Sequence, residues 1–223
     1  MSEKRTVVIT GANRGIGLEL ARLYAREGFA VIGVCRESST ELADVASSVI
    51  DGVDVTTDAG IDRLVKGLAG QQIDLLINNA GLLQDEKLGS IDFDSIRIQM
   101  EINAYAPLRV AEALVSQIPS GGKIANITSR MGSIADNDSG GRYGYRASKA
   151  ALNAFGKSLA MDLKPRGIAV AQLHPGYVQT RMVNFGGLIS PDESAKGLAE
   201  RIEGLSLENT GSFWHSNGEQ LPW

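Results

Sequence analysis

Short apolar runs and amphipathic stretches alternate along this chain. Thr6-Val7-Val8-Ile9-Thr10 is a strand-length apolar run that ends in Gly11. Behind it, Ile16, Leu20, Leu23 and Tyr24 recur at helical spacing. They predict a helix over 16–27, closed by Gly28 as a left-handed C-terminal cap. The same rhythm predicts a strand over 29–35, a helix over 37–46, a strand over 48–55, a helix over 57–69 and a strand over 73–78. In the second half it predicts a long helix over 93–118, a strand over 123–128 and a helix over Tyr143–Leu163. A strand over 168–174, a helix over 192–202 and a last strand near Ser212–His215 follow.

Strands separated by helices of this length imply parallel β-α-β units with right-handed crossovers. The expected fold class is α/β, a Rossmann-type doubly wound parallel sheet of about seven strands with helices on both faces. No low-complexity linker or short repeat divides the chain, and 223 residues suit one domain. Residues 1–223 are therefore expected to form a single dinucleotide-binding domain, its substrate site built by the C-terminal half. Hydrophobic residues at 43% and charged residues at 22% argue against disorder. With 22 Lys+Arg against 26 Asp+Glu, the net charge of −4 gives no reason to expect a nucleic acid or a membrane surface as partner. One cysteine excludes an intramolecular disulfide and suits a reducing compartment. Cys35, His174 and His215 are too few soft ligands for a structural zinc, so no metal is expected. Met1-Ser2-Glu3-Lys4-Arg5 carries no targeting signal, and no run approaches the ~20 apolar residues that span a bilayer. The expected location is cytoplasmic.

The first candidate chemistry lies in Thr10-Gly11-Ala12-Asn13-Arg14-Gly15-Ile16-Gly17, between a predicted strand and a predicted helix. Gly11 permits a tight turn, Gly15 lets a pyrophosphate approach the backbone, and Gly17 lets the helix pack on the strand. The N–H groups and positive end of the helix favour phosphate. The spacing is Gly-x3-Gly-x-Gly, and Leu18-Glu19 stand where a nucleotide-triphosphate loop needs Lys and Ser/Thr. A glycine-rich turn without a ligand is the plain alternative.

Three more motifs follow in order: Asn78-Asn79-Ala80-Gly81, Tyr145-Arg146-Ala147-Ser148-Lys149 and Pro175-Gly176-Tyr177-Val178-Gln179-Thr180. With the glycine turn they make the chain resemble the short-chain dehydrogenase/reductase family over nearly its whole length. Residues 128–153 are similar to the small carbonyl-reductase branch that includes the C-factor-like proteins. Tyr145 and Lys149 lie four apart, so on a helix they share a face. A neighbouring ammonium favours phenolate and draws a phenol towards working pH. A surface Tyr/Lys pair is the plain alternative.

The resemblance implies a catalytic set of Asn103, Ser129, Tyr145 and Lys149. Tyr145 would exchange a proton with the substrate oxygen, Lys149 would also hold the nicotinamide ribose, and Ser129 would hydrogen-bond the carbonyl. Asn103 would offer its backbone carbonyl to a relay water. Sixteen positions separate Ser129 from Tyr145, more than the family usually has, so Ser133 is the runner-up. The turn-forming residues 136–141 could loop out without moving either end. His174 and Cys35 are expected to be structural.

For the cofactor, the resemblance implies contacts from Gly11, Asn13, Arg14, Gly15, Ile16 and Gly17 in the first turn. Arg36, Asp54, Val55, Asn79, Ala80 and Gly81 follow, joined by Tyr145, Lys149, Pro175, Gly176, Val178 and Thr180. The expected cofactor is NADP(H). Cys35 stands where an acid would take a ribose 2′-hydroxyl, and Arg36 and Arg14 offer forked bonds to a 2′-phosphate. Glu37, expected in the following helix, is the counter-argument. The resemblance implies a small-molecule carbonyl or alcohol as partner, and the short, glycine-rich residues 182–190 suggest an open pocket little committed to one shape. A homodimer or homotetramer is expected through 93–118 and Tyr143–Leu163, where Ala147, Ala150, Ala151, Ala154 and Phe155 exceed one buried stripe. The competing reading is a dinucleotide-binding signalling protein without turnover. A nucleotide-sugar epimerase would need a larger C-terminal region.

Overall fold

The computed structural model describes residues 4–223, and Met1-Ser2-Glu3 of the N-terminal stretch lie outside the described residues. The strands are β1 (Thr6–Thr10), β2 (Ala30–Val34), β3 (Ser48–Ile50), β4 (Leu75–Asn78), β5 (Lys123–Ile127), β6 (Ala169–His174) and β7 (Ser212–His215). They form one sheet in the order β3-β2-β1-β4-β5-β6-β7. Every neighbouring pair is parallel. The helices are α1 (Gly15–Arg26), α2 (Thr40–Val45), α3 (Asp58–Gly67), α4 (Phe93–Met100), α5 (Ala106–Leu114), α6 (Tyr143–Leu163) and α7 (Pro191–Glu203). This is the doubly wound Rossmann-type arrangement that the alternation predicts.

A parallel sheet is covered on both faces, so its strands are largely apolar on both sides and not alternating. In β1, Val7 and Ile9 pack in one core with Leu20, Leu23 and Tyr24 of α1 and Leu198 of α7. Val8 points the other way, into a second core with Leu64 of α3, Val110 and Leu114 of α5 and Ala160 of α6. Cys35 is buried in the first core, and burial pushes its thiol up. Among the described residues, no helix is long and apolar enough to cross a membrane.

Three predicted elements differ. The helix expected over 37–46 begins at Thr40, because Ser39 caps it by accepting from the Leu42 N–H at 3.2 Å. Glu37 therefore lies in the turn before α2, not in the helix. The strand expected over 48–55 stops at Ile50, where the chain turns through Gly52 at a φ of +64°. The long helix expected over 93–118 is interrupted by a π-helical turn at Glu101–Tyr105 and ends in a 3₁₀ turn at Val115–Gln117. Pro107 accounts for part of that break. It has no N–H, so the Asn103 carbonyl four residues earlier loses its α-helical donor.

A ladder of buried amides crosses β4, β5 and β6 towards their carboxyl ends. Asn78 Nδ2 donates to Asn126 Oδ1 at 2.9 Å, and Asn126 Nδ2 donates to Gln172 Oε1 at 2.8 Å. The backbone register pairs the same residues, Asn78 with Asn126 and Asn126 with Gln172. α6 lies directly on this ladder: a methyl group at Gly156 would overlap Gln172 Oε1. Asn126→Ala leaves Gln172 Oε1 unpaired and Asn78 Nδ2 with only its longer bond to the Pro107 carbonyl at 3.3 Å, in a dry interior where an unpaired group costs about 1–3 kcal/mol. The expected loss is about 3 kcal/mol in urea unfolding, and a loss below about 1 kcal/mol contradicts the ladder's importance.

Candidate active site

Because β1, β4, β5 and β6 run parallel and side by side, Gly11, Asn79, Ser129 and Pro175 all follow their carboxyl ends at one edge of the sheet. The glycine turn is built as the sequence requires. Gly11 and Gly15 hold φ values of +66° and +55°, which side chains rarely adopt. At Gly17 a Cβ would overlap the Gly11 carbonyl and the Asn79 amide. Thr10 Oγ1 accepts from the N–H groups of Asn79 and Ala80 at 3.0 and 3.2 Å, and Asn79 Nδ2 returns a bond to the Thr10 carbonyl at 3.0 Å.

The start of α1 carries no side-chain cap. Ser39, Thr57, Asp92 and Ser190 cap α2, α3, α4 and α7 through their side chains, whereas Arg14 gives α1 no such bond. The first-turn N–H groups of α1 therefore face an open turn, which suits a phosphate. Arg14 and Arg36 are exposed, and among the described residues neither is in an ion pair. Asn13 Nδ2 donates to the Glu37 carbonyl at 2.9 Å, which docks the glycine turn on the β2–α2 turn. Asp54, before the half-buried Val55, accepts from Thr56 N at 3.0 Å and Thr56 Oγ1 at 2.7 Å. Those bonds, with the Arg36 guanidinium nearby, hold its carboxyl below the usual range. Ile16 packs against the core. The methyl of Thr180 faces Gly15, and Val178 bridges to Ile189 beyond the Pro175-Gly176 turn. Gly81 lies beside Asn103 Oδ1 and Lys149 Nζ. The residues predicted for a dinucleotide thus fit one along this edge.

Tyr145 and Lys149 share the buried face of α6 at 8% and 4% exposure, which removes the solvated-pair alternative. Lys149 Nζ donates to the Ile127 carbonyl at 2.9 Å and lies 5.9 Å from the Tyr145 ring centre. The expectation that the ammonium draws the phenol down is not met in this packing. Burial pushes Tyr145 up, opposed by the neighbouring Ser129 hydroxyl and the Arg142 charge. The same burial pulls Lys149 down to about 8. Desolvation disfavours both charged forms, so Tyr145 is a protonated phenol at neutral pH.

The two candidate serines separate cleanly. Ser129 neighbours Tyr145, where its hydroxyl favours the ionised phenol, and it accepts from the Met131 N–H at 3.2 Å. Ser133 Oγ instead donates to the Trp223 carbonyl and accepts from the Asp136 N–H. Residues 136–141 loop out, with Gly140 and Gly141 at positive φ, and Tyr145 still reaches Ser129. Asn103 is fully buried. Its side chain accepts from Leu82 N at 2.8 Å and donates to the Leu82 carbonyl at 2.7 Å and to Ser148 Oγ at 3.0 Å. His174 sits edge-on to His215, and burial with neighbouring positive charge pulls it down to about 3. It stays neutral at working pH, as a structural residue does.

Sequence reading missed a buried carboxylate. Glu86, 2% exposed, accepts from Gly144 N at 3.0 Å and from Ser95 Oγ and Gln99 Nε2 at 2.5 Å each. A usable signal was present, since Ser95, Gln99 and Asn103 recur every fourth position as a polar stripe.

Comparison with known proteins shows the family. The family model for short chain dehydrogenases matches residues 5–186. A 1-hydroxy-2-glutathionyl-2-methyl-3-butene dehydrogenase from a Rhodococcus species is 39% identical, over 98% of this chain and 99% of its own. The C-signal protein of Myxococcus xanthus is 41% identical over 68% of this chain and 93% of its own. The crystal structure of a Pseudomonas aeruginosa carbonyl reductase in complex with NADP is 33% identical with a TM-score of 0.86, covering 99% of this chain and all of that one.

Lys149 makes a stability prediction. Below pH 8 its ammonium is buried at a cost in the folded state. Between about 8 and the ordinary 10.5 the folded state releases a proton that the unfolded state keeps, so stability rises with pH there. Lys149→Met removes that cost and leaves the Ile127 carbonyl unpaired, for a net gain of about 2 kcal/mol at pH 7 that shrinks as pH passes 8. Urea unfolding at pH 7 and pH 10 checks it, and a variant less stable than the parent at pH 7 contradicts it.

Proposed function

The chain belongs to the short-chain dehydrogenase family, and on that premise we propose that it reduces the carbonyl of an aldehyde or ketone to an alcohol, with NADP(H) as cofactor and Tyr145 as proton donor. The observation that carries this reading is one constellation. A buried Tyr145–Ser129 pair and a buried Lys149 stand at the same sheet edge as an uncapped, glycine-lined helix start. The bound nicotinamide would supply the hydride. Ser129 orients the substrate oxygen towards Tyr145, and Tyr145 gives up its proton as negative charge develops there. Its raised pKa keeps the phenol protonated, which favours reduction over oxidation at neutral pH. Lys149 has donors to spare beyond Ile127 and serves the nicotinamide ribose. The Asn103 carbonyl, without its α-helical donor, accepts from the water that re-protonates the tyrosine.

Arg14 and Arg36, exposed and free of carboxylate partners among the described residues, take the 2′-phosphate. The NADP bound to the Pseudomonas aeruginosa relative supports that preference. The protein acts in the cytoplasm, where NADP is held reduced. It works as a homodimer or homotetramer in which α4, α5 and α6 cover the exposed Ile98, Tyr105 and Met161 with Ala147 and Ala154.

The likeness to C-signal favours a second reading, a dinucleotide-binding signalling protein with little turnover. Ser129, Tyr145 and Lys149 weigh against it, because a sensor has no use for a buried proton donor beside a lysine.

Tyr145→Phe keeps the ring packing and loses the proton. We expect NADPH binding within about two-fold of the parent and turnover of a panel of small aldehydes and ketones lower by at least about 10²-fold. Ser129→Ala is expected to lose activity where Ser133→Ala does not. Unchanged turnover in the phenylalanine variant contradicts the assignment, and no NADPH oxidation by the parent across the panel favours the signalling reading. Arg36→Asp is expected to shift kcat/KM from NADPH towards NADH by about 10²-fold. A parent that uses NADH equally well, or a variant that shows no shift, contradicts the cofactor assignment.

A further inference from the structure

Resting on the reading that Tyr145 is the proton donor, we propose that Glu86 is a positioning residue for it, a buried carboxylate that caps the catalytic helix from the loop after Asn79-Ala80-Gly81. The residue before α6, Arg142, is left-handed at a φ of +50° and offers no side-chain cap. The missing cap comes from elsewhere in the chain. One Glu86 oxygen accepts from the N–H of Gly144, the residue before Tyr145, at 3.0 Å, and the Glu86 carbonyl accepts from the Arg142 N–H at 3.0 Å. A Cβ on Gly144 would come within 2.6 Å of Gln99 Nε2 and 3.0 Å of Glu86 Oε1, so the helix start rests directly on this cluster.

The carboxylate is tied at its back as firmly as at its front. Its other oxygen takes Ser95 Oγ and Gln99 Nε2 from α4, each at 2.5 Å. Gln99 Oε1 accepts from Gln84 N at 3.0 Å, and Asn103 clasps Leu82 and Ser148. Ser95, Gln99 and Asn103 thus stitch residues 82–86 to α6 along one helix face. The loop that follows the Asn79-Ala80-Gly81 motif and the turn of helix that carries Tyr145 are held as one unit.

The chemistry of the cluster selects a carboxylate. Three donors converge on two oxygens, and a neutral amide offers only one acceptor. Glu86→Gln turns an NH₂ towards either Gly144 N–H or Gln99 Nε2, and one donor faces another. Exchanging the two residues restores the balance: in Glu86→Gln with Gln99→Glu, the new amide oxygen accepts from Gly144, its NH₂ donates to the new carboxylate, and that carboxylate still accepts from Gln84.

The test compares the parent, Glu86→Gln, the Glu86→Gln/Gln99→Glu pair and Tyr145→Phe, with NADPH and the panel carbonyl that the parent turns over fastest. Kd for NADPH comes from its fluorescence and kcat from its absorbance, well below each variant's Tm. Amide hydrogen exchange reads Gly144 directly. We expect Glu86→Gln to lower kcat about ten-fold at unchanged NADPH Kd, with lost protection at Gly144, because a small misplacement of a reacting group is costly. The exchanged pair recovers kcat to within about three-fold, and recovers the protection. Full kcat in Glu86→Gln, or no recovery in the pair, overturns the proposal while leaving the proton-donor reading intact if Tyr145→Phe is inactive. An active Tyr145→Phe overturns that reading and this one with it. Should Glu86→Gln fail to fold, Ser95→Ala removes one donor and leaves two. There a two- to three-fold lower kcat at unchanged NADPH Kd supports the proposal, and full kcat overturns it.

Discussion

The molecule depends on one constraint: its strands run parallel, in a register that brings four separate loops to a single edge. Gly11, Asn79, Ser129 and Pro175 are far apart in sequence and meet only because β1, β4, β5 and β6 are neighbours. Apolar packing holds the sheet but does not by itself fix the pairing, since Val, Ile and Leu on adjacent strands fit in more than one alignment. The amides of Asn78, Asn126 and Gln172 do discriminate. They bond one another only in the observed register, and a slip would strand several buried polar groups without water. They lie at the last turn of the strands before the site, where an error in register would matter most.

The same burial that stabilises the fold creates the chemistry. α6 packs Tyr145 and Lys149 inward, and the loss of water disfavours both charged forms. The result is a phenol held protonated beside an amine drawn down to about 8. That arrangement costs stability, as sites that hold uncompensated groups in the interior commonly do. Polar ties run from α4 through residues 82–86 to the start of α6, the turn that carries Tyr145.

Much of this was legible in the sequence, for physical reasons that can be named. The helix over Tyr143–Leu163 was found at its true bounds because long amphipathic periodicity is a strong signal. The glycines were legible because positive φ and backbone contact admit little else. What escaped was what the sequence expresses weakly. The break at Glu101–Tyr105 arises from Pro107 acting on a carbonyl four residues away. The early stop of β3 rests on Gly52, and the late start of α2 on one serine hydroxyl. Glu86 was passed over because an acidic residue in a polar loop reads as solvated, and only the fold shows it buried under α6. The direction of the Tyr145 shift was missed for the same reason. Spacing places the lysine, but burial decides the balance between its charge and desolvation.

The central claim is that this edge of the sheet delivers a hydride to a carbonyl carbon and a proton to its oxygen. Isotope transfer tests that claim without relying on any variant. The protein is incubated with NADPH carrying deuterium at the transferable C4 position and with a small aldehyde, and the alcohol is analysed by mass spectrometry. The account predicts one deuterium per alcohol, bound to the carbinol carbon and retained in ordinary water. Alcohol without that label, or no alcohol across the carbonyl panel, would contradict it.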